Sequence, residues 1–375
     1  MTHTCSGPSI SMDAKLPASA QALDVRILHS IPTPVADALI SRGCRQAPDV
    51  TPEALKEVLA QHHVAGLEQR ANSMLSACRQ EAAKDAWRSA DSALSLLRKT
   101  ARPKVTLPCT GLNQLLGNAL RGGALLEVFG LPGSGKTQFC LQLCAAVQIP
   151  CDPNISIVEA VFIDTEGSFV PQRYLQVCEA LLAERRPHLD PPAAAAQLEA
   201  VMRSLHVCRA YDATELYSTI KQLGAFIKGR RRPVGAVVVD SIAFSFRHEL
   251  MDNTAQRARV LAEIAGTLRQ LGAHHDFLAV VTNHMTTRFG REDTWLAPAL
   301  GETWAHQAST QLRLEKMACW QQPGLGRATL TKSVEKAACS CAYRISHKGL
   351  RDDGPEAMPV DGGCTGLAPL RGRIA

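Results

Sequence analysis

The sequence lacks the features of a secreted, membrane-spanning or disulfide-rich protein. No apolar run is long enough to cross a bilayer, and the first residues, Met1–Cys5, have neither the basic nor the apolar region of a secretory signal. The 13 cysteines are an odd number, and none forms a C-x-x-C pair. We therefore expect buried, reduced thiols, with a zinc site as the alternative.

The overall composition is typical of a globular protein of moderate charge. Of the 375 residues, 46% are hydrophobic and 20% are charged, and the formal net charge is +6. This length favours one large domain with a small one, or two comparable domains. The mildly basic balance permits a nucleic-acid partner but does not require one.

Composition and chain breakers divide the sequence into five segments. We predict a flexible tail over residues 1–23 and a small helical domain over 24–80, where short apolar stretches alternate with proline and glycine. A partly helical linker is predicted over 81–105. Residues 106–352 are predicted to form one large core, and residues 353–375, rich in Gly and Pro, a disordered tail.

Within the core, apolar runs alternate with amphipathic helices, which is typical of an α/β fold. Runs such as Val237–Val239 are apolar at consecutive positions, which predicts a mostly parallel sheet covered by helices on both faces. The predicted parallel strands are Leu125–Phe129, Val158–Asp164, Leu205–Arg209, Gly235–Asp240 and Phe277–Thr282. Three later runs are predicted to be antiparallel strands appended to this sheet: Gln311–Glu315, Ala328–Thr331 and Ala342–Ser346.

Two of the core helices carry boundary signals. Asp212, with Glu215 three residues later, has the spacing of a capping box and predicts a helix start. A helix over about 253–271 is predicted to end at Gly272, since glycine commonly follows the last helical residue.

The most informative stretch is Gly130–Thr137, which reads GLPGSGKT and follows an apolar run. It fits G-x-x-x-x-G-K-[ST], a loop that wraps the phosphates of a nucleoside triphosphate. Its glycines let backbone N–H groups approach the phosphates, Lys136 reaches the β- and γ-phosphates, and the Thr137 hydroxyl is a ligand for Mg²⁺. The predicted nucleotide-binding residues are Gly130, Leu131, Pro132, Gly133, Ser134, Gly135, Lys136, Thr137 and Gln138, and Lys136 is also a predicted catalytic residue.

Two acidic residues at strand ends suit the same chemistry. Asp240 ends the run Val237–Val239 and is predicted to hold Mg²⁺ with Thr137, the alternative being an Asp that caps a loop. Glu166 follows the run that ends at Asp164, where ligands bind in open α/β sheets. We predict that Glu166 is the catalytic base that polarises the attacking water, and that Asp164 braces its loop.

A phosphate loop alone leaves many functions open, including kinases, transporters, helicases and recombinases. The guanine-reading motif Asn-Lys-x-Asp does not occur in the sequence, which argues against a GTPase. A choice among the remaining classes requires further motifs.

Five segments, in order along the chain, supply them: KTQ at 136–138 continuing to VQIP at 147–150, EAVFIDTEGSF at 159–169, DSIAFSFRH at 240–248, TNHMTT at 282–287 and PALGETW at 298–304. Together they resemble the eukaryotic RecA-like recombinases, the Rad51 family, over about residues 24–352. The segments IAFSFRH and PALGETW are more similar to the C-type branch of this family than to its main recombinase.

This resemblance implies a RecA-like phosphate-loop ATPase core with a small N-terminal helical domain. It implies ATP and Mg²⁺ as cofactors, slow hydrolysis stimulated by DNA, single-stranded DNA as a partner and a nuclear location, with the cytoplasm as a possible second one. No membrane partner is expected. The sequence contains no clear nuclear import signal of its own.

The resemblance also implies two loops that face DNA, one from Arg247 to about Gln256 and one over about 285–300. Within them, Arg247, Arg288 and Arg291 are predicted to meet phosphates, and Phe289 or Trp295 to stack against bases. The alternative is that these arginines are solvated loop charges.

The sequence departs from the pattern of the family in two places. Where relatives have Thr-Asn-Gln, whose amide senses the γ-phosphate, this chain has His284, and we predict that His284 and His306 sense the ATP state. Filament-forming relatives carry Phe-x-x-Ala in the linker, but here Phe129 is the first phenylalanine. Trp87 and Ala90 have the matching spacing and are predicted to bind a distinct partner, the alternative being that Trp87 is an ordinary linker residue.

These departures favour an assembly factor over a filament-forming enzyme. The predicted function is an ATP-binding recombinase paralogue that assists or stabilises recombinase filaments on single-stranded DNA during homologous-recombination repair. Its predicted partners are other paralogues and the main recombinase. Two alternatives remain open: a strand-exchange recombinase that forms its own filaments, and an unrelated phosphate-loop kinase or ATPase.

Overall fold

A computed structural model describes residue 25 and residues 31–44, 49–61, 69–78, 92–94, 105–246, 254–289, 294–317 and 324–353. The predicted tail over 1–23 lies outside the described residues, as do most of the predicted linker and all but the first residue of the predicted C-terminal tail. The chain divides into two compact units, residues 1–98 and residues 99–375.

The described part of the first unit is helical. Helix α1 spans Thr33–Ser41, α2 spans Pro52–Gln61, and residues 69–78 form α3. Helix α2 begins where Thr51 accepts a hydrogen bond from the Ala54 N–H and Pro52 takes the first helical position, a favourable place for proline. Leucine, valine and alanine side chains of the three helices are buried together.

The second unit is built on one large sheet. Its strands are β1 Leu125–Gly130, β2 Glu159–Asp164, β3 Leu205–Arg209, β4 Val234–Asp240, β5 Leu278–Phe289, β6 Thr294–Pro298, β7 Thr310–Lys316, β8 Leu325–Lys332, β9 Cys339–Ser346 and β10 Gly349–Arg351. The spatial order is β10-β9-β8-β7-β1-β5-β4-β2-β3, with β6 paired to β5 outside this row.

The sheet is parallel in its main part and antiparallel toward the C terminus. Strands β7, β1, β5, β4, β2 and β3 pair in parallel, and β8, β9 and β10 continue in antiparallel pairs. The prediction for Gln311–Glu315 was wrong in one respect, because β7 pairs in parallel with β1 on one side and antiparallel with β8 on the other. Strand β7 therefore completes the parallel sheet.

Helices cover both faces of this sheet, as its apolar strands predict. They are α4 Thr110–Leu116, α5 Lys136–Gln148, α6 Pro171–Arg185, α7 Pro191–Arg203, α8 Ala213–Lys228, α9 Ile242–Ser245, α10 Thr254–His275 and α11 Gly301–Ala305. Neighbouring strand residues point to opposite faces, so that Phe162 packs with α5 and α6 and Ile163 packs with α8 and α10. No helix among the described residues has the length and apolar character needed to span a membrane.

The two predicted helix boundaries had different outcomes. The helix start at Asp212 is confirmed, since its side chain accepts from the Glu215 N–H at 2.7 Å. The Glu215 carboxylate accepts from the Tyr211 N–H at 2.8 Å, one residue before the position that a capping box would use. The predicted end at Gly272 was wrong, because α10 continues to His275 and the chain turns at Asp276, whose φ is 61°. A Cβ at Gly272 would lie 3.0 Å from the Phe277 carbonyl oxygen. This glycine therefore serves close backbone packing rather than helix termination.

Candidate nucleotide site

The phosphate loop connects the end of β1 to the start of α5. Gly133 and Gly135 have positive φ values of 76° and 97°, a conformation that other L-residues rarely adopt. A Cβ at Gly130 would lie 2.2 Å from the Leu314 carbonyl oxygen. The loop therefore needs glycine at these positions to bring its N–H groups and the N terminus of α5 to one place, which suits an anion.

A cavity of about 470 Å³ opens beside this loop. Its volume lies in the range of small-molecule and cofactor sites. Three groups of residues enclose it: the phosphate loop from Pro132 to Gln138, polar residues in or just after the central strands, and residues of the C-terminal strands. The polar residues are Glu166, Asp240 and His284. The residues from the C-terminal strands are Lys316, Gly324, Leu325, Gly326, Tyr343 and Ile345.

Lys136 is buried and points back into its own loop. Its Nζ donates to the carbonyl oxygens of Gly130, at 3.0 Å, and Leu131, at 3.2 Å. Burial lowers the pKa of Lys136, and the negative charges of Asp240 and Glu166 oppose this shift. A phosphate beside this ammonium group would offset the cost of its burial and form charge-assisted hydrogen bonds with it.

Thr137 and Asp240 lie side by side. The Thr137 Oγ1 donates to the Asp240 Oδ2 at 2.7 Å, and the Thr282 hydroxyl donates to the other carboxylate oxygen. Burial raises the pKa of Asp240, against the opposing effect of these hydrogen bonds. A hydroxyl and a carboxylate are oxygen ligands that Mg²⁺ prefers, and a cation would offset the cost of the buried negative charge. The pair therefore fits a magnesium site.

Glu166 faces the same cavity from the loop after β2. Its Oε1 accepts a hydrogen bond from the Ser241 hydroxyl and lies 2.5 Å from the His284 Nε2. Burial raises the pKa of Glu166, but the hydrogen bonds from His284 and Ser241 outweigh it, and the net pKa lies below the usual value. The carboxylate is therefore anionic at neutral pH, as a general base must be.

Asp164 organises the loop that carries Glu166. Its Oδ1 accepts from the backbone N–H groups of Glu166, Gly167 and Ser168, and its Oδ2 accepts from the N–H of Phe169. The Arg209 guanidinium also donates to Oδ2, at 2.9 Å. This pattern agrees with the bracing role predicted for Asp164.

Other predicted residues are not brought into the cavity. His306 is exposed at the end of α11, and Trp295 is exposed on β6. The segment predicted as a DNA-facing loop is largely a β-hairpin, in which β5 and β6 pair in antiparallel fashion and place Arg288 opposite Trp295 and Phe289 opposite Thr294. Arg247, Arg291, Trp87 and Ala90 lie outside the described residues.

The C-terminal strands supply a wall of the cavity that sequence reasoning did not identify. The Tyr343 hydroxyl on β9 donates to the Ser134 carbonyl oxygen at 2.6 Å. A Cβ at Gly135 would lie 2.4 Å from Ile345, which shows how closely β9 covers the loop. No local signal marks these residues, because Tyr343 lies 209 residues after Ser134 in the chain.

Glu127 was also missed, although it is a charged residue inside an apolar strand. It is fully buried on β1, and three side chains donate to its carboxylate. The donors are the Asn283 amide at 2.7 Å, the Trp304 indole at 3.0 Å and the Gln311 amide at 2.6 Å. This network joins β1, β5, β7 and α11.

We predict that Glu127→Ala lowers the free energy of unfolding by about 3 kcal/mol or more, because each buried donor left unpaired costs about 1–3 kcal/mol. Urea unfolding followed by circular dichroism measures this change. Glu199→Ala is the matched control, since Glu199 is exposed and pairs with Arg203 on its own helix; a change within about 0.5 kcal/mol is expected there. Equal midpoints for wild type and Glu127→Ala would contradict the prediction.

Known proteins are similar to this chain over more than half of its length. A family model described as Rad51 matches residues 98–353. The DNA repair protein RAD51 homolog 3 of Cricetulus griseus is 35% identical over 253 residues, which cover 65% of this chain and 67% of that protein. The protein of the same name from Dictyostelium discoideum is 30% identical over 264 residues, 68% of each chain. The DNA repair protein rhp57 of Schizosaccharomyces pombe is 29% identical over 239 residues, 55% of this chain and 66% of that protein.

Proposed function

Because the chain belongs to the Rad51 family of RecA-like ATPases, we propose that it binds ATP with Mg²⁺ and assists recombinase filaments in homologous-recombination repair. The observation that carries this proposal is the convergence of Lys136, the Thr137–Asp240 pair and Glu166 on one cavity at the carboxyl edge of the parallel strands. Ligands of open α/β sheets bind at this edge.

In this proposal each group has one role in hydrolysis. Lys136 leaves its loop carbonyls to contact the β- and γ-phosphates, and Thr137 and Asp240 hold Mg²⁺, which neutralises charge on the phosphates. Glu166 receives a proton from the attacking water while the water oxygen bonds to the γ-phosphorus. The bond from that phosphorus to the β–γ bridging oxygen breaks, and ADP leaves.

The β5–β6 hairpin is proposed to meet single-stranded DNA. Strand β5 runs without interruption from His284 at the nucleotide cavity to Arg288 and Phe289 in the hairpin. Arg247, Arg288 and Arg291 would contact phosphates, and Phe289 or Trp295 would stack against bases. The exposure of the Trp295 side chain, which is 44% accessible, supports this assignment.

The proposed partners are other recombinase paralogues and the main recombinase, with a nuclear location. The relatives that support this role are named as DNA repair proteins. Trp87 and Ala90 are proposed to contact a partner in place of the Phe-x-x-Ala of filament-forming relatives. His284, which lines the cavity, is proposed to respond to the state of the bound nucleotide.

Electron microscopy of the purified chain on single-stranded DNA with ATP tests the proposed function. We expect no long regular filaments from the chain alone, and more or longer filaments of the main recombinase when both proteins are present. The Lys136→Ala variant, which lacks the phosphate-binding ammonium, serves as the control and should lose this effect. Long filaments with efficient strand exchange by the chain alone would favour the strand-exchange recombinase instead. ATP turnover that DNA and the main recombinase both leave unchanged would contradict the proposed role in filament assembly.

A further inference from the structure

His284 is a second group at the proposed catalytic carboxylate. Its side chain is only 13% exposed, and its Nε2 lies 2.5 Å from the Glu166 Oε1 and 3.1 Å from the Ser241 Oγ. The backbone at His284 is fixed as well, because it is paired with Gly130 of β1 and its carbonyl oxygen accepts from the Ala299 N–H at 2.8 Å. The imidazole therefore approaches Glu166 from a rigid strand.

The hydrogen bonds that the described residues make to the Glu166 carboxylate all reach one oxygen. Ser241 donates to Oε1, and His284 contacts the same atom. The other oxygen, Oε2, is left for the cavity that Glu166 lines. Two hydrogen bonds that converge on one oxygen restrict the rotation of the carboxylate, and a general base needs a defined orientation toward the attacking water.

We propose that His284 is a positioning residue, which with Ser241 holds Glu166 by Oε1 so that Oε2 faces the water that attacks ATP. This inference rests on the proposed ATPase function and adds a role for His284 toward Glu166 itself, apart from any contact with the γ-phosphate. His284 does not touch the reacting atoms in this arrangement. It acts through the orientation and basicity of Glu166.

Among the described residues, the charged groups that line this cavity beside His284 are Glu166, Asp240, Lys136 and Lys316, the last from the end of β7. Glu166 contributes a carboxylate from the loop after β2, Asp240 a carboxylate from the end of β4, and Lys136 an ammonium group from the start of α5. Lys136 lowers the pKa of Glu166, as the two hydrogen bonds do, while burial raises it. If the contact with His284 is lost, one of the hydrogen bonds that lower the pKa of Glu166 is gone. The effect of burial is then less fully countered, and the pKa of Glu166 rises. Hydrolysis should then be lost at a higher pH on acidification than in the wild type.

The test compares His284→Ala and His284→Gln with wild type. We expect His284→Ala to lower kcat by about tenfold to a hundredfold, because the base loses its fixed orientation, while the dissociation constant of a non-hydrolysable ATP analogue changes by less than about twofold. His284→Gln keeps a hydrogen-bond donor at a similar distance and should recover most of the rate. In His284→Ala the acid limb of the pH–kcat profile should move to higher pH. His188→Ala, at an exposed histidine, is the matched control.

Two outcomes would overturn the inference: a kcat and a pH profile of His284→Ala equal to those of wild type, or a loss of analogue binding in proportion to the loss of rate. The second outcome would assign His284 to nucleotide binding. Failure of this inference differs from failure of the proposed function. If Glu166→Gln slows hydrolysis and His284→Ala does not, only the role of His284 is wrong; if wild type binds no ATP, both are wrong.

Discussion

Glu166→Gln is expected to abolish most ATP hydrolysis while it leaves ATP binding intact. The substitution keeps the shape of the side chain and removes the anionic base, and a general base contributes about a hundredfold to ten-thousandfold to the rate. We therefore expect kcat to fall by about a hundredfold or more, with the dissociation constant of a non-hydrolysable ATP analogue within about twofold of wild type. Phosphate release under single-turnover conditions measures the first quantity, and a binding titration measures the second.

The control for this variant is Glu199→Gln, which makes the same chemical change at an exposed glutamate. Its kcat should equal that of wild type. The low pKa of Glu166 adds a pH dependence, because the base remains anionic to a pH below the usual range of a glutamate. The wild-type rate should therefore persist into mildly acidic solution. Equal kcat values for Glu166→Gln and wild type would move the catalytic role to another residue.

Lys136→Ala is expected to weaken ATP binding by at least about tenfold. A charge-assisted hydrogen bond to phosphate contributes about 1.5–3 kcal/mol, and about 1.4 kcal/mol corresponds to a factor of ten. The Lys136 ammonium is held beside the cavity by the carbonyl oxygens of Gly130 and Leu131, so little rearrangement is needed to bring it to a phosphate. Isothermal titration with ATP and Mg²⁺ measures the change.

The matched control is Lys228→Ala, since Lys228 is exposed at the end of α8, far along the chain from the loop. Its ATP affinity should equal that of wild type. Wild-type affinity and hydrolysis in Lys136→Ala would show that the phosphate loop no longer serves a nucleotide, and the proposed roles of Thr137 and Asp240 would lose their basis.

The parts of the site that the sequence predicts are those that depend on local order along the chain. The phosphate loop follows from one contiguous strand, turn and helix. Glu166 and Asp240 follow from the rule that parallel strands end at a common edge, and β2 does pair in parallel with β4, with Asp164 opposite Asp240. In these cases a motif and a strand end are sufficient.

The parts that the sequence does not predict depend on which strands become neighbours. The contact between His284 and Glu166 requires β5 to lie beside β4 and β4 beside β2, an order that differs from the order along the chain. The wall formed by Tyr343 requires β9 to fold back over the loop. Glu127 offers a visible signal, a charge in an apolar strand, but its donors come from three separate elements.

Gly272 shows why a correct local rule can fail. Glycine commonly follows the last residue of a helix, and the residues before Gly272 fit that pattern. In the fold, α10 continues and the glycine meets the backbone of Phe277 and Gly123 instead. The reason for glycine is the close packing of two backbones, which becomes visible only when the neighbouring segment is in place.

The most direct test of the account is a crystal structure of the chain grown with Mg²⁺ and a non-hydrolysable ATP analogue. The account predicts the phosphates within the loop from Gly130 to Thr137, the Lys136 Nζ moved from the loop carbonyls to the β- and γ-phosphates, and Mg²⁺ beside Thr137 and Asp240. An empty cavity at saturating analogue, or an analogue bound away from this loop, would contradict it.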